Sequence, residues 1–265
     1  MHMGSFMRRL IASLLIATGV VACATSPLGR HQLKFVSDQE VAAAGVQSFA
    51  TLKTKEKISK DPQQNRYVQC VAQAITSVIP TMPWNITPPA SWEVVVFDSD
   101  EVNAFALPGG KIGVYTGLLK VATTQDQLAA VLGHEVSHVL AGHSAERLSD
   151  QMIAQGVVSM AQAYGAGGQV ASIAANTFFL LPFSRTHETE ADLLGMDLMA
   201  HAGFDPRAAI TLWEEMSQQA GRAPPELLST HPGNATRIQN LSARLPRDEP
   251  IYQQVRAAGR RPNCG

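Results

Sequence analysis

Two histidines and a glutamate in the segment His134-Glu135-Val136-Ser137-His138 have the residue types and the spacing of a zinc centre. If the segment is helical, positions 134 and 138 lie on one face, one turn apart, because an α-helix has 3.6 residues per turn. Two imidazoles placed in this way can bind one zinc ion, each nitrogen about 2.0–2.1 Å from the metal. Glu135 would project beside them, where a carboxylate can take a proton from the attacking water. The segment therefore predicts zinc-dependent hydrolysis.

A catalytic zinc needs a third protein ligand. His143 is one candidate, but it would lie about half a turn off the ligand face if the helix continued. Ala141 and Ser144 also stand where the metzincin pattern requires glycine and histidine. We therefore expect His143 to lie at the end of the helix or behind the ligands.

Glu188 and Asp192 are better candidates because residues four apart on a helix share a face. We predict that Glu188 binds the metal and that Asp192 orients a ligand histidine through its other ring nitrogen. We expect the neighbouring His187 and Glu190 to point elsewhere, into solvent.

The composition of the chain, 45% hydrophobic and 16% charged over 265 residues, is typical of one or two globular domains. The formal net charge of −1 argues against a nucleic-acid partner. No internal repeat or compositional boundary divides the sequence. We expect one catalytic domain over residues 37–246 and a polar tail over 247–265.

Residues 1–22 have the pattern of a signal peptide: two arginines precede an apolar stretch that is too short to span a bilayer comfortably. The stretch ends Val-Val-Ala-Cys, which resembles a bacterial lipobox, so we predict that Cys23 is lipidated. A simple secretory signal with an incidental cysteine is the alternative. Ala24 stands where, by analogy with enterobacterial lipoproteins, an aspartate would favour retention in the inner membrane. We therefore expect a lipid anchor in the outer membrane, facing the periplasm, with residues 23–36 as a linker.

Local patterns predict an α+β fold: a mostly helical, zincin-like metalloprotease domain with a small β-sheet beside the active-site helix. Residues 91–97 are rich in β-branched and aromatic residues and are the clearest strand. Residues 103–119 read as a hairpin around a Pro-Gly-Gly turn. Helix starts are predicted from capping residues at three places: Ser37 with Glu40, Asp61 before Pro62, and Thr124 with Gln127.

The predicted hairpin offers a place for an extended polypeptide to bind. We expect substrate to add as a strand along one run of the hairpin, whose residues are Ala104, Phe105, Ala106 and Leu107. An internal strand, paired on both sides, is the alternative. The uncharged stretch 151–184 is interrupted by glycines and amides, so we expect two helices of small residues packed on the zinc helix and not a membrane span. Part of this stretch would cover or wall the substrate cleft.

Two cysteines remain after the predicted lipidation site. Disulfides persist in an oxidising compartment such as the periplasm. We therefore predict that Cys70 and Cys264 form a disulfide between the second helix and the tail.

Four segments, in a fixed order, resemble the HtpX-like and CAAX-prenyl-protease-like family of zinc peptidases, gluzincins in which H-E-x-x-H pairs with E-x-x-x-D. The resemblance extends over roughly residues 37–245. A single membrane anchor makes the chain most similar to the soluble periplasmic lipoprotein branch of BepA-, LoiP- and Oma-like proteins. The matching segments are 103–110 (N-A-F-A-L-P-G-G), 134–143, 184–192 and 229–238 (S-T-H-P-G-N-A-T-R-I).

This resemblance implies a metalloendopeptidase that binds one Zn²⁺ per chain through His134, His138 and Glu188. Its implied substrates are unfolded or misassembled proteins of the cell envelope, and protein partners in envelope assembly are further candidates. A zinc-stabilised chaperone or assembly factor for outer-membrane proteins, with incidental proteolysis, is the alternative function.

The resemblance also places the 229–238 loop against the active site. His231 would then fill the open position of the metal in the resting enzyme, because neutral imidazole is a common zinc ligand. Alternatively, His231 donates a hydrogen bond to the developing oxyanion, with Arg237 supporting the negative charge. A histidine at a helix entry with no catalytic role is the third interpretation.

Overall fold

The computed structural model describes residues 23–154, 174, 177–178, 182–219, 226–231 and 235–265. The predicted signal peptide and most of the uncharged stretch 151–184 lie outside the described residues. Within the described residues, no helix is both long enough and apolar enough to cross a membrane.

The predicted α+β class is confirmed, and helices predominate over two small sheets in the part of the chain that the structure describes. The strands are β1 (Cys23–Thr25), β2 (His31–Leu33), β3 (Glu93–Phe97), β4 (Ala104–Leu107) and β5 (Lys111–Tyr115). The helices are α1 (Asp38–Lys55), α2 (Pro62–Ser77), α3 (Gln125–Leu140), α4 (His143–Ala154), α5 (Arg185–Ala202), α6 (Arg207–Gln219), α7 (Glu226–Thr230) and α8 (Ala235–Ala257).

The three predicted helix starts are confirmed by their hydrogen bonds. The side chains of Ser37 and Thr124 each accept a bond from the backbone N–H three residues ahead, and a glutamate or glutamine at that position bonds back to the cap. Asp61 accepts bonds from the two N–H groups that follow Pro62. These caps satisfy backbone donors that would otherwise have no partner.

The predicted hairpin is β4 paired antiparallel with β5, and β3 pairs with β5 in parallel on the other side. The turn is made by Gly109 and Gly110, whose φ angles of 82° and 73° are unfavourable for other residues. The strand order β3-β5-β4 leaves β4 at an edge of the sheet. Within the described residues, only β5 pairs with it.

Helices α3 and α5 cross with their backbones in close contact, and two glycines make this approach sterically allowed. A Cβ atom added to Gly195 would lie 2.8 Å from the backbone nitrogen of His134. One added to Gly133 would lie 2.9 Å from the carbonyl oxygen of Gly195. The crossing therefore brings the H-E-x-x-H helix directly against the helix that carries Glu188 and Asp192.

Both ends of the predicted domain differ from expectation. Residues 23–36, which we expected to be a linker, contain the β1–β2 hairpin. Polar side chains of this hairpin pack on the body of the protein. For example, the Nε2 atom of Gln32 donates to the carbonyl oxygen of Ala141 at 2.7 Å. Helix α8 runs through the predicted boundary at residue 246.

The end of the chain is held by a disulfide between Cys70 and Cys264, with a Cα–Cα distance of 5.5 Å.

Candidate metal centre

Four buried side chains, from helices α3 and α5 and the residue after α7, point their ligand atoms at one another. They are His134, His138, Glu188 and His231, and their ligand atoms all lie within 4.8 Å. The Nε2 atom of His134 is 3.1 Å from Nε2 of His138 and 3.1 Å from Nδ1 of His231. The Oε1 atom of Glu188 is 3.0 Å from Nδ1 of His231 and 3.5 Å from Nε2 of His138.

The spacing of these atoms fits a zinc ion. Ligands about 2.0–2.1 Å from a tetrahedral zinc lie about 3.3–3.4 Å from one another. The four separations, from 3.0 to 3.5 Å, bracket that value. Three imidazole nitrogens and a carboxylate are also the donor types that zinc prefers. The residues present therefore suit one zinc ion, and His231 lies in the position that a catalytic site leaves to water or substrate.

His134 is oriented by the carboxylate predicted for this task. Its Nδ1 donates to Asp192 Oδ1 at 2.9 Å, which leaves the Nε2 lone pair for the metal. Asp192 in turn accepts two bonds from Arg237, from Nε at 2.7 Å and from Nη2 at 2.6 Å. The Nη1 atom of Arg237 lies 2.7 Å from Glu188 Oε2, and the guanidinium stacks on the ring of Trp213 at 3.7 Å. These contacts place Arg237 behind two carboxylates of the site, a different place from the oxyanion that it supports in the second of our interpretations.

His138 is oriented by His143, which we expected at the helix end or behind the ligands, and through it by Glu190, which we did not expect in the site. Its Nδ1 is 2.9 Å from Nδ1 of His143, whose Nε2 is 3.2 Å from Glu190 Oε2. A carboxylate requires a donor, so His143 carries its proton on Nε2 and accepts from His138 on Nδ1. The proton on His138 Nδ1 leaves its Nε2 free to bind the metal.

The position of His143 results from a turn at Gly142. Helix α3 ends at Leu140, and Gly142 has a φ angle of 67°, so the chain changes direction before α4 begins at His143. The histidine therefore comes back towards His138. Our expectation that it lies behind the ligands agrees with this place.

The prediction that His187 and Glu190 are solvated is wrong, because both side chains are buried. Glu190 accepts bonds from Ser26 and from Arg30 Nε, the latter at 3.0 Å. His187 stacks on His143 with ring centroids 4.4 Å apart, and its Nε2 lies 3.0 Å from Glu146. Helical spacing alone could not predict these contacts, because their partners lie on the β1–β2 hairpin and on α4, beyond the turn at Gly142.

Burial and specific partners together shift the pKa values of these groups. Burial lowers the pKa of His143 to about 4, so its imidazole is neutral near pH 7. Burial alone would raise the pKa of Glu190, but bonds from His143, Ser26 and Arg30 outweigh burial and hold it at about 2. Burial likewise opposes ionisation of Asp192, and the charge of Arg237 keeps the pKa of that carboxyl below its usual value.

A cleft of about 430 Å³ opens beside the cluster. The lining includes the edge strand β4 with Phe105, together with Glu135, Phe183 and His231. The side chain of Glu135 is buried, and among the described residues its Oε1 accepts no hydrogen bond. The Nε2 atom of His231 lies 3.5 Å from this oxygen. The cleft therefore joins the predicted substrate strand to the predicted base.

Phe183 was not predicted as a site residue. Its ring lies 3.8 Å from the ring centroid of His138 and stacks on His231 at 5.1 Å. The guanidinium of Arg147 also lies over this ring, 3.7 Å from its centroid. Phe178 also lines the cleft, which agrees with our expectation that part of 151–184 walls it; the residues around it are outside the described part of the chain.

Three features define this site as a zinc-dependent metallopeptidase centre. They are a helix with H-E-x-x-H, a glutamate ligand from a second helix, and a carboxylate base beside an edge strand. The chain belongs to Peptidase family M48, whose family model matches residues 62–245. Members of this family use zinc, in agreement with the donor set found here.

Individual relatives come from mitochondria and from bacteria. The chain is 44% identical over 158 residues to mitochondrial metalloendopeptidase OMA1 of Schizosaccharomyces pombe, covering 58% of this chain and 47% of the relative. It is 36% identical over 242 residues to the OMA1 of Arabidopsis thaliana, covering 89% and 48%. It is 29% identical over 216 residues to the beta-barrel assembly-enhancing protease of Escherichia coli, covering 77% and 43%. The chain thus spans about half the length of these curated relatives.

Proposed function

We propose that this chain is a zinc metalloendopeptidase of the bacterial cell envelope that cleaves unfolded or misassembled polypeptides. The observation that carries this proposal is the convergence of His134, His138 and Glu188 beside Glu135 and the edge strand β4. A strand edge binds extended chains through backbone groups and selects side chains weakly. This property suits an enzyme that must accept many unfolded sequences.

Each residue of the site has a defined task in this mechanism. Zinc, when bound, supplies Lewis acidity that polarises the scissile carbonyl and makes the attacking water more acidic. Glu135 takes a proton from that water and later delivers it to the leaving amine. Residues 104–107 hold the substrate as an added strand. Asp192 fixes His134, and Arg237 holds Asp192 and Glu188 in place.

The test is peptide-bond cleavage by the purified full chain and its Glu135→Gln variant, with casein as the unfolded substrate. We expect the variant to bind zinc in the same ratio as the wild type and to lose cleavage by a factor of at least about 10². A chelator should abolish wild-type cleavage and added zinc should restore it. Glu101→Gln, which changes another carboxylate lining the cleft, is the matched control and should stay active. Undiminished cleavage by Glu135→Gln would contradict the mechanism.

The envelope location is part of the same proposal. Its support is the lipobox-like sequence before Cys23 and the similarity to an Escherichia coli protease whose name refers to β-barrel assembly. Lipid on Cys23 would anchor the protein on the periplasmic face of the outer membrane without a spanning helix. Labelling cells with a fatty-acid analogue tests this point: label that persists in Cys23→Ser would exclude it.

A zinc-stabilised chaperone for outer-membrane proteins remains the second candidate, favoured by the same relative's name. The Glu135→Gln variant separates the two functions. A protease loses its effect on envelope proteins with this substitution, whereas a chaperone keeps it.

A further inference from the structure

The proposed mechanism makes no use of the contacts that join the N-terminal hairpin to the metal centre. The hairpin contributes Ser26 and Arg30, which both bond to Glu190. Glu190 bonds to His143, and His143 bonds to His138. We call Arg30, Glu190 and His143 the hairpin-side contacts. They connect a partly exposed arginine to a metal ligand through consecutive hydrogen bonds.

The direction of these hydrogen bonds determines which ring nitrogen of the metal ligand His138 carries the proton. A carboxylate only accepts, so Glu190 requires the proton of His143 on Nε2. The other ring nitrogen of His143 must then accept, and the proton on His138 faces it. If Glu190 lost its charge or its orientation, His143 could turn or take the other tautomer. His138 would then lose the acceptor that directs its Nε2 lone pair towards the zinc position.

Arg30 fixes Glu190 through Oε2, the same carboxylate oxygen that faces His143. Its Nε donates to Glu190, and its two terminal nitrogens donate to Glu146 at 2.7 and 2.8 Å. The guanidinium therefore bridges one carboxylate on α4 and one on α5. An arginine suits this role because its planar group presents donors in a fixed fork, which a lysine does not.

We propose that Arg30, Glu190 and His143 are positioning residues for His138, so that the N-terminal hairpin sets the zinc affinity of the site. Carboxylates and other groups that orient ligand histidines typically change metal affinity by about 10–100-fold when they are removed. The structure assigns this role on the His138 side to residues from three separate elements, β1–β2, α4 and α5. This proposal rests on the zinc centre of the proposed function and not on the nature of its substrate.

The experiment measures zinc affinity of the full chain by competition with a chromophoric chelator. Three variants interrupt the contacts in turn: His143→Leu, Glu190→Gln and Arg30→Gln. We expect His143→Leu and Glu190→Gln to bind zinc about 10–100-fold more weakly, and Arg30→Gln to show a smaller loss, near the lower end of that range. The visible spectrum of the Co²⁺-substituted protein is the second measurement, because it reports the arrangement of the ligand atoms and a general loss of stability does not change it.

Arg244→Gln is the matched control. Arg244 binds Asp197, another buried carboxylate on α5, with Nη2 2.7 Å from Oδ2, and its exposure is similar to that of Arg30. This variant should leave the zinc affinity and the Co²⁺ spectrum unchanged. The thermal midpoint of each metal-free variant checks that it is folded; should His143→Leu not fold, Glu190→Gln and Arg30→Gln decide the question.

Two results would overturn the proposal. One is a folded Glu190→Gln variant whose zinc affinity and Co²⁺ spectrum match the wild type. The other is an equal loss in Arg244→Gln, which would show a general effect of breaking ion pairs. A wild-type chain that binds zinc but cleaves no polypeptide would contradict the proposed function alone, because these measurements need no substrate.

Discussion

The two histidines of the H-E-x-x-H segment are held from opposite sides by different kinds of contact. His134 donates directly to a carboxylate, Asp192, which Arg237 clamps with two bonds. We call Asp192 and Arg237 the helix-side contacts. His138 instead donates to a neutral histidine, and the carboxylate lies one residue further out, beside Arg30 of the hairpin.

The difference lies in how far each set of contacts is from water. Asp192 and Arg237 are almost completely buried, and Trp213 covers the guanidinium. The side chain of Arg30 is 25% exposed. Removing one partner of a buried ion pair is strongly destabilising, because the remaining charge cannot be rehydrated. A partly exposed charge can regain water when its partner is removed. The helix-side contacts are therefore rigid parts of the core, and the hairpin-side contacts are the part of the site that can be adjusted.

The largest expected effect follows from this contrast. Asp192→Ala leaves the buried charge of Arg237 without its main partner and should lower the free energy of unfolding by about 3–5 kcal/mol. Glu190→Ala removes the equivalent carboxylate on the hairpin side and should lower it by only about 1–2 kcal/mol, since Arg30 keeps Glu146 and contacts water. Urea unfolding of the metal-free variants measures both values, and equal losses would contradict the contrast.

The helix-side contacts were the part of the site that sequence could predict. Glu188 and Asp192 lie four residues apart on one regular helix, so helical geometry alone placed them together. The same rule applied to His134 and His138. Two capping boxes and the Pro-Gly-Gly turn were predictable for a similar reason, because each depends on residues that are close in sequence.

The hairpin-side contacts could not be predicted because each depends on a change of direction or a distant segment. Gly142 ends the regular geometry of α3, so extrapolating the helix placed His143 away from the metal face. Arg30 reaches Glu190 across 160 residues of sequence, from a segment that we expected to be a linker. Even the meeting of the two ligand helices requires Gly133 and Gly195, whose role becomes visible only when the helices cross.

His231 contacts Arg237, one of the helix-side contacts, and its movement away from the metal ligands is a candidate conformational change. Its carbonyl oxygen accepts from Arg237 Nη1 at 3.3 Å, while its imidazole lies among the metal ligands. This geometry favours the first of our three interpretations, in which His231 fills the open position of the resting site. If the open form makes up about 10% of molecules, His231→Ala should raise the initial rate of casein cleavage by up to about tenfold.

The control for this second prediction is the double variant His231→Ala with Glu135→Gln, which should be inactive because the base is missing. Zinc content, measured on the same samples, shows whether the metal is retained. A lower rate with full zinc content would instead support the second interpretation, in which His231 assists the developing oxyanion.

The third expected effect, smaller than that of Asp192→Ala, concerns the packing of α8, the helix that carries Arg237, on α5. Asp248 of α8 is fully buried near Asp197 of α5, with Arg244 Nε 3.4 Å from its Oδ2. Burial, together with the negative charge of Asp197, raises the pKa of Asp248 to about 7. The folded state therefore binds a proton that the unfolded state releases near pH 4, so stability falls as pH rises from about 4 to 7, by at most about 1.4 kcal/mol per pH unit.

Asp248→Asn removes this titration and should remove the corresponding part of the pH dependence. We expect the variant to gain about 1–2 kcal/mol relative to the wild type between pH 5 and pH 7, with little difference near pH 4, where the wild-type carboxyl is protonated. Urea unfolding of metal-free protein across this range measures the gain, and the same substitution at the partly exposed Asp98 serves as the control. A constant difference at every pH would show that Asp248 does not titrate in this range and would contradict the prediction.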